Sequence, residues 1–219
     1  SSHRAEHFWF LNGGSTLRYD NETKDEKYRE LYGQCHNIHK KNNLFTMLKQ
    51  EHGIEPTEEW LKDWLVSSCD LIDRYQPSSL FFDWWVSYKA FRPYMKKFLA
   101  YYYNRSLEWG KEVCVYYKSD AVMYNCAIFD RERGQLENIS PYIWQGETST
   151  AYNAWSYCTT NHFKKPEIIA CNLLDVISKN GCFVLNLGPK ADGTFCEEEK
   201  NIIAKIGKWT KRNEEAIWL

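Results

Sequence analysis

The residues of this sequence best placed to do chemistry are carboxylates at the ends of apolar runs, because two acids brought together can serve as a nucleophile and a proton donor. Asp83 is the first candidate. It ends the apolar run Leu80-Phe81-Phe82, which the turn Pro77-Ser78-Ser79 bounds on its other side, and two indoles, Trp84 and Trp85, follow it. Such a run reads as a short buried strand that delivers an acid to its C-terminal end, where barrel and open α/β folds keep their chemistry. Flat apolar rings stack on sugar C–H surfaces while an acid works on the bond. The alternative is that Asp83 caps a helix beginning in the following loop.

The second acid is sought at another strand end. Glu132 lies just past the apolar run Cys126-Ala127-Ile128-Phe129-Asp130, and Glu147 sits in Trp144-Gln145-Gly146-Glu147-Thr148. Asp130 and Asp120 are further candidates, and each of the four can also be read as a solvated loop acid or a salt-bridge partner. An acid/base must hold a raised pKa, which apolar surface supplies, and Trp144 and Trp155 are available for that. His3, Glu6 and His7 read as hydrogen-bonding groups for sugar hydroxyls or as a polar cluster at a terminus. Their spacing does not fit a helix-borne HExxH site, so no metal is expected. The chain has no G-x-S-x-G, P-loop or G-x-G-x-x-G segment, and no cofactor is expected either.

Composition narrows the setting. A chain of 219 residues, 43% hydrophobic, can bury one substantial core, so one domain is the default. Ten Trp and fifteen Tyr exceed what packing needs and suit a surface that is apolar and hydrogen-bonding together. A net charge of -1 argues against a nucleic-acid partner. The sequence has no run of eighteen apolar residues, so no membrane span is expected. The opening Ser1-Ser2-His3-Arg4-Ala5-Glu6-His7 lacks the pattern of a signal peptide and runs straight into Phe8-Trp9-Phe10, as though a strand had been cut away upstream. The eight cysteines form no CxxC pair and read as buried thiols rather than a disulfide framework. Sequons at Asn21, Asn104 and Asn138 are compatible with a secreted or organellar glycoprotein.

The elements that must position these acids follow from periodicity. Residues 12–56 are turn-rich and then polar and lysine-rich, a long excursion between core elements. A helix is expected from Thr57 to Tyr75, a strand at Leu80–Phe82, a helix from Phe91-Arg92-Pro93 to Gly110, and a strand at Glu112–Tyr117. A shorter strand covers Cys126–Asp130, and the aromatic segments Pro141–Gln145 and Ala154–Tyr157 read as loops. A helix over Glu167–Lys179, a strand at Cys182–Asn186 and a closing helix from Glu197 to about Arg212 complete the order. Alternation of this kind means a parallel sheet wrapped by helices, with too few strands to close an eight-stranded barrel.

Several long segments, in order, resemble the alpha-L-fucosidases of glycoside hydrolase family 29. Ser1–Phe10 resembles that family's SSHxAEHWWF segment, and Tyr75-Gln76-Pro77 through Phe82-Asp83 resembles its YQP...WFD strand. Phe129–Gly134 with Trp144–Ser149 resembles FDxERG...WQTDTS, and Asp175–Gly181 with Leu185–Thr194 resembles DVVSKNG...LNIGPKADGT. The resemblance implies a retaining exo-glycosidase that releases terminal alpha-L-fucose from fucosylated glycans, either active or as a truncated sugar-binding remnant. By motif position Asp83 is the implied nucleophile and Glu132 the implied acid/base, with Glu147 as the alternative. Trp9, Phe81 and Trp155 would accept the fucose methyl group, Trp144 would line the pocket, and His3, Glu6 and His7 would bind hydroxyls. The implied fold is α/β, a partial (β/α)8 TIM-like barrel over residues 1–219. Its first strands, with their KHHDGF-type motif, and the following beta-sandwich are expected to be absent. The implied location is secreted, periplasmic or lysosomal.

Overall fold

The computed structural model describes residues 56–83 and 86–218, so the expectations for the 12–56 excursion and for His3, Glu6, His7 and Trp9 lie outside the described residues. The chain divides into two compact units, Ser1–Ala127 and Ile128–Leu219.

In the first unit, helix α1 (Glu58–Tyr75) starts where expected. Thr57 caps it by accepting from the Trp60 N–H at 3.2 Å, with Glu58 and Glu59 in the first turn. The helix buries Leu61, Trp64 and Ile72 and stops at Gln76, whose φ of 43° reverses the chain. Strand β1 (Ser79–Phe82) follows directly. Helix α2 (Arg92–Trp109) opens on Pro93 and closes at Gly110, in the left-handed conformation that glycine accepts without penalty.

These elements meet through rings. The Phe82 ring lies 5.8 Å from Trp64 and 5.0 Å from Phe98, and Trp64 lies 5.2 Å from Phe91. Tyr102, fully buried on α2, donates its hydroxyl to the Pro77 carbonyl at 2.6 Å and so ties the helix to the turn that introduces β1. Strand β2 (Cys114–Tyr117) pairs with β1 in parallel, Phe81 opposite Tyr116 and Phe82 opposite Tyr117. Because side chains alternate, Phe82 and Tyr117 enter the helix-facing core while Phe81 and Tyr116 face the other way.

The second unit holds β3 (Ile128–Glu132), β4 (Trp144–Ser149) and β5 (Gly181–Asn186), with β4 parallel to both neighbours. Here the structure corrects the sequence reading: the segment taken as loop around Trp144 is a six-residue central strand. Trp-Gln-Gly-Glu-Thr-Ser has little β-propensity, and its strand conformation comes from ladders on both sides. Gly146 is required there by packing, since a Cβ at that position would lie 2.8 Å from Val176 Cγ2 on the covering helix. That helix, α3 (Pro166–Ser178), packs on β5 and α4 (Glu197–Arg212), and a short α5 (Glu214–Ile217) follows. Among the described residues no helix is long and apolar enough to cross a membrane.

Candidate active site

Asp83 stands one residue beyond β1, and Lys118 one residue beyond β2. The register that pairs Phe82 with Tyr117 therefore makes 83 and 118 the next partners, on the same face as Phe81 and Tyr116. The side chains meet as the ladder dictates: Lys118 Nζ lies 2.9 Å from Asp83 Oδ1, with side-chain exposures of only 8% and 17%. The ammonium also sits 5.5 Å over the Phe81 ring. With so little water around the pair, the attraction between the two opposite charges is weakly screened. Sequence reasoning missed Lys118. Its one signal was a lysine at the C-terminal end of an apolar strand, an expensive place for a charge without a partner.

In the second unit Glu132 ends β3 and Glu147 lies opposite it on β4. Partners in a parallel ladder share a face, so the two carboxylates project side by side, both half-buried. Two residues earlier on that face is a buried polar pair, in which Gln145 Nε2 donates to Asp130 Oδ1 at 2.6 Å. Asp120, by contrast, forms an exposed ion pair with Arg92.

Arg133, directly after Glu132, is a second residue that sequence reasoning missed. Its backbone adopts φ 47° and its N–H donates to the Glu147 carbonyl at 2.8 Å. The guanidinium donates to Ser149 Oγ and to the carbonyls of Ala151, Tyr152 and Ala154. It also stacks 4.3 Å from the Trp155 ring. One planar fork thus orders the whole loop after β4 and leaves only the other face of Trp155 for a ligand. Asn186, at the end of β5, holds the same residue by donating to the Trp155 carbonyl.

Trp144 is placed differently from the expectation. It shares a face with Gly146, packed toward Val176 of α3, is 2% exposed, and donates its indole N–H to the Lys179 carbonyl. An indole committed in this way is core, away from the face that carries Glu132 and Glu147. Further from the carboxylates, fully buried Glu199 of α4 accepts from Thr150 Oγ1 at 2.6 Å and from the Gly188 N–H at 3.0 Å, fastening the loops after β4 and β5.

The family model for alpha-L-fucosidase matches residues 18–215. Tissue alpha-L-fucosidase of Bos taurus is 26% identical over 169 residues, covering 68% of this chain and 33% of the relative. That of Mus musculus is 22% identical over 247 aligned positions, covering 97% and 51%. The chain therefore spans between a third and about half of the length of these relatives. Among solved structures, Thermotoga maritima alpha-fucosidase in complex with fucose superposes with a TM-score of 0.59 at 25% identity, over 74% of this chain and 35% of that one. The fold is α/β, part of a (β/α)8 barrel, and the chain belongs to the alpha-L-fucosidase family.

Proposed function

We propose that this chain carries the catalytic carboxylates of a retaining exo-glycosidase that releases terminal alpha-L-fucose from fucosylated glycans in a secreted, periplasmic or lysosomal setting. The observation that carries the reading is Asp83 at the C-terminal end of a barrel strand, paired with Lys118 at 2.9 Å, in a chain of the fucosidase family. Asp83 attacks the anomeric carbon while the bond to the leaving-group oxygen breaks, and Glu132 gives its proton to that oxygen. Glu132, now a carboxylate, takes a proton from water, whose oxygen attacks the same carbon. The bond to Asp83 breaks as that new bond forms, the electron pair returning to the Asp83 carboxylate, and fucose leaves with its configuration retained. Glu147, the register neighbour of Glu132, is the alternative acid/base. Phe81, Trp155 and Trp9 accept the fucose methyl group, and His3, Glu6 and His7 bind its hydroxyls.

The test is turnover of an aryl alpha-L-fucoside by the parent and by Asp83→Ala. Removing a nucleophile is expected to cost on the order of 10⁴-fold in kcat, and azide, small enough to occupy the vacated space, is expected to restore turnover. An unchanged rate in the variant would remove Asp83 from the role. Because the chain spans only part of its relatives, a sugar-binding segment without turnover is the second reading. Calorimetric binding of fucose by a parent that hydrolyses no fucoside would select it.

A further inference from the structure

A cleft of about 330 Å³ opens on the helix-facing side of the second unit, between β4 and α3, with Arg133, Gln135, Thr148, Tyr152, Lys164 and Asn172 on its walls. Glu147 borders it as well, but strand alternation puts the Glu147 side chain with Gln145 on the opposite face, whereas Gly146 and Thr148 face the cleft. The cleft is thus separate from the face proposed for catalysis.

Its charge is uncompensated. Lys164 is only 7% exposed, yet its ammonium donates one hydrogen bond, to neutral Thr148 Oγ1, and otherwise lies 5.5 Å over the Tyr152 ring. All four hydrogen bonds of the Arg133 guanidinium go to neutral oxygens. Among the described residues neither cation meets a carboxylate. Burial, and then the nearby Arg133 charge, hold the Lys164 pKa below the ordinary lysine value. Buried charges are normally paired, because an unpaired one loses its hydration without return. Gln135 donates to Asn172 Oδ1 at 3.3 Å, which leaves the Asn172 –NH2 as a further donor. A deep ammonium and an amide donor, in the positive field of a guanidinium whose terminal N–H groups are already engaged, are the chemistry that recognises a compact oxyanion.

We propose that the cleft lined by Lys164, Arg133, Thr148 and Asn172 is a binding site for a sulfate or phosphate group, with Lys164 as its principal charge. Its volume exceeds what a bare ion fills and leaves room for one sugar-sized ring, so the group is either a free ion or an ester on a glycan. The site does not depend on the fucosidase reading, and its test uses no turnover.

Thermal unfolding of the full chain in sodium sulfate, sodium phosphate and a monosaccharide sulfate, each against sodium chloride at equal ionic strength, reads it out. A bound anion raises Tm along a saturating curve, whereas the general salting effect of sulfate grows without saturation and is common to all variants. Lys164→Met, which replaces the buried ammonium by an apolar chain of similar length, is expected to abolish the saturating part. Asn172→Asp, which supplies the missing counter-charge from half-exposed α3, is expected to do the same and serves if Lys164→Met fails to fold. Saturation by inorganic ions marks a free-ion site, and saturation by the monosaccharide sulfate alone marks an ester-borne one. A parent with no saturating rise, or equal curves in parent and Asn172→Asp, overturns the proposal.

Discussion

At the scale of residues, the proposed function leaves two adjacent glutamates, Glu132 and Glu147, as candidates for handling the proton. Glu132 and Glu147 are register partners on one face, so position on the sheet alone leaves them close to equivalent. Their surroundings differ: Glu132 stands at the strand end beside Arg133, while Glu147 has two strand residues beyond it. The two stand level on the ladder, but Glu132 is followed by loop at the C-terminal rim, where barrel substrates bind, and Glu147 by further strand. The expected outcome follows from leaving-group chemistry. An aryl oxygen of low basicity departs without a proton, whereas a sugar hydroxyl needs one. Glu132→Gln is therefore expected to lose on the order of 10²-fold or more in kcat/KM on a fucosylated oligosaccharide and far less on an activated aryl fucoside. Glu147→Gln is expected to affect both alike. The opposite pattern, measured by comparing the two substrates for each variant, would transfer the role to Glu147. The position of Asp83 at a strand end was legible in the sequence because an apolar run, a turn and an acid are local features. Lys118 was not, because its meaning arises from the β1–β2 register. Trp144 misled for a related reason: parity along β4 decides which face an indole takes, and that strand was itself unrecognised.

At the scale of elements, helices α1, α2, α3 and α4 were legible from caps, proline and glycine punctuation and helical spacing, and their observed bounds lie within a few residues of expectation. Strand β4 was hidden because its hydrogen-bonding ladders, rather than its side chains, make it a strand. Tyr102 joins α2 to the turn that introduces β1, the strand ahead of Asp83, through its hydrogen bond to the Pro77 carbonyl. Burial pushes this phenol up to about 12, and neighbouring Tyr103 likewise. An unfolded tyrosine titrates near 10. Between those values the folded chain keeps protons that the unfolded chain has released, so stability is fully present below about pH 10 and is lost as pH rises toward 12. Tyr102→Phe removes one of these protons and also leaves the Pro77 carbonyl without its donor. It is expected to cost about 1 kcal/mol at neutral pH, with a shallower decline in alkali than the parent. Denaturant unfolding at pH 7, 9 and 11 would check it, and an unchanged alkaline slope would exclude Tyr102 as its source.

At the scale of the whole molecule, 28 basic and 29 acidic residues leave a net charge of -1, so no long-range field of one sign surrounds the chain. Fucose carries no charge, and a neutral substrate gains nothing from electrostatic steering. The ionic contacts proposed for catalysis are short and partly buried: Asp83 and Lys118 are 2.9 Å apart, well inside a Debye length at any ordinary salt concentration. Added chloride therefore has little to screen, either in the approach of a neutral substrate or in the pair that holds the proposed nucleophile. For a neutral aryl fucoside, kcat/KM is expected to change by less than about twofold when sodium chloride is raised from roughly 20 to 300 mM. Chloride is the proper salt for this experiment, since sulfate or phosphate would also load the cationic cleft beside α3. A loss of tenfold or more would mean that the productive substrate is charged or that a distant ion pair controls the site. A flat profile would locate the working electrostatics where the strand register puts them, in a pair made by adjacent strand ends.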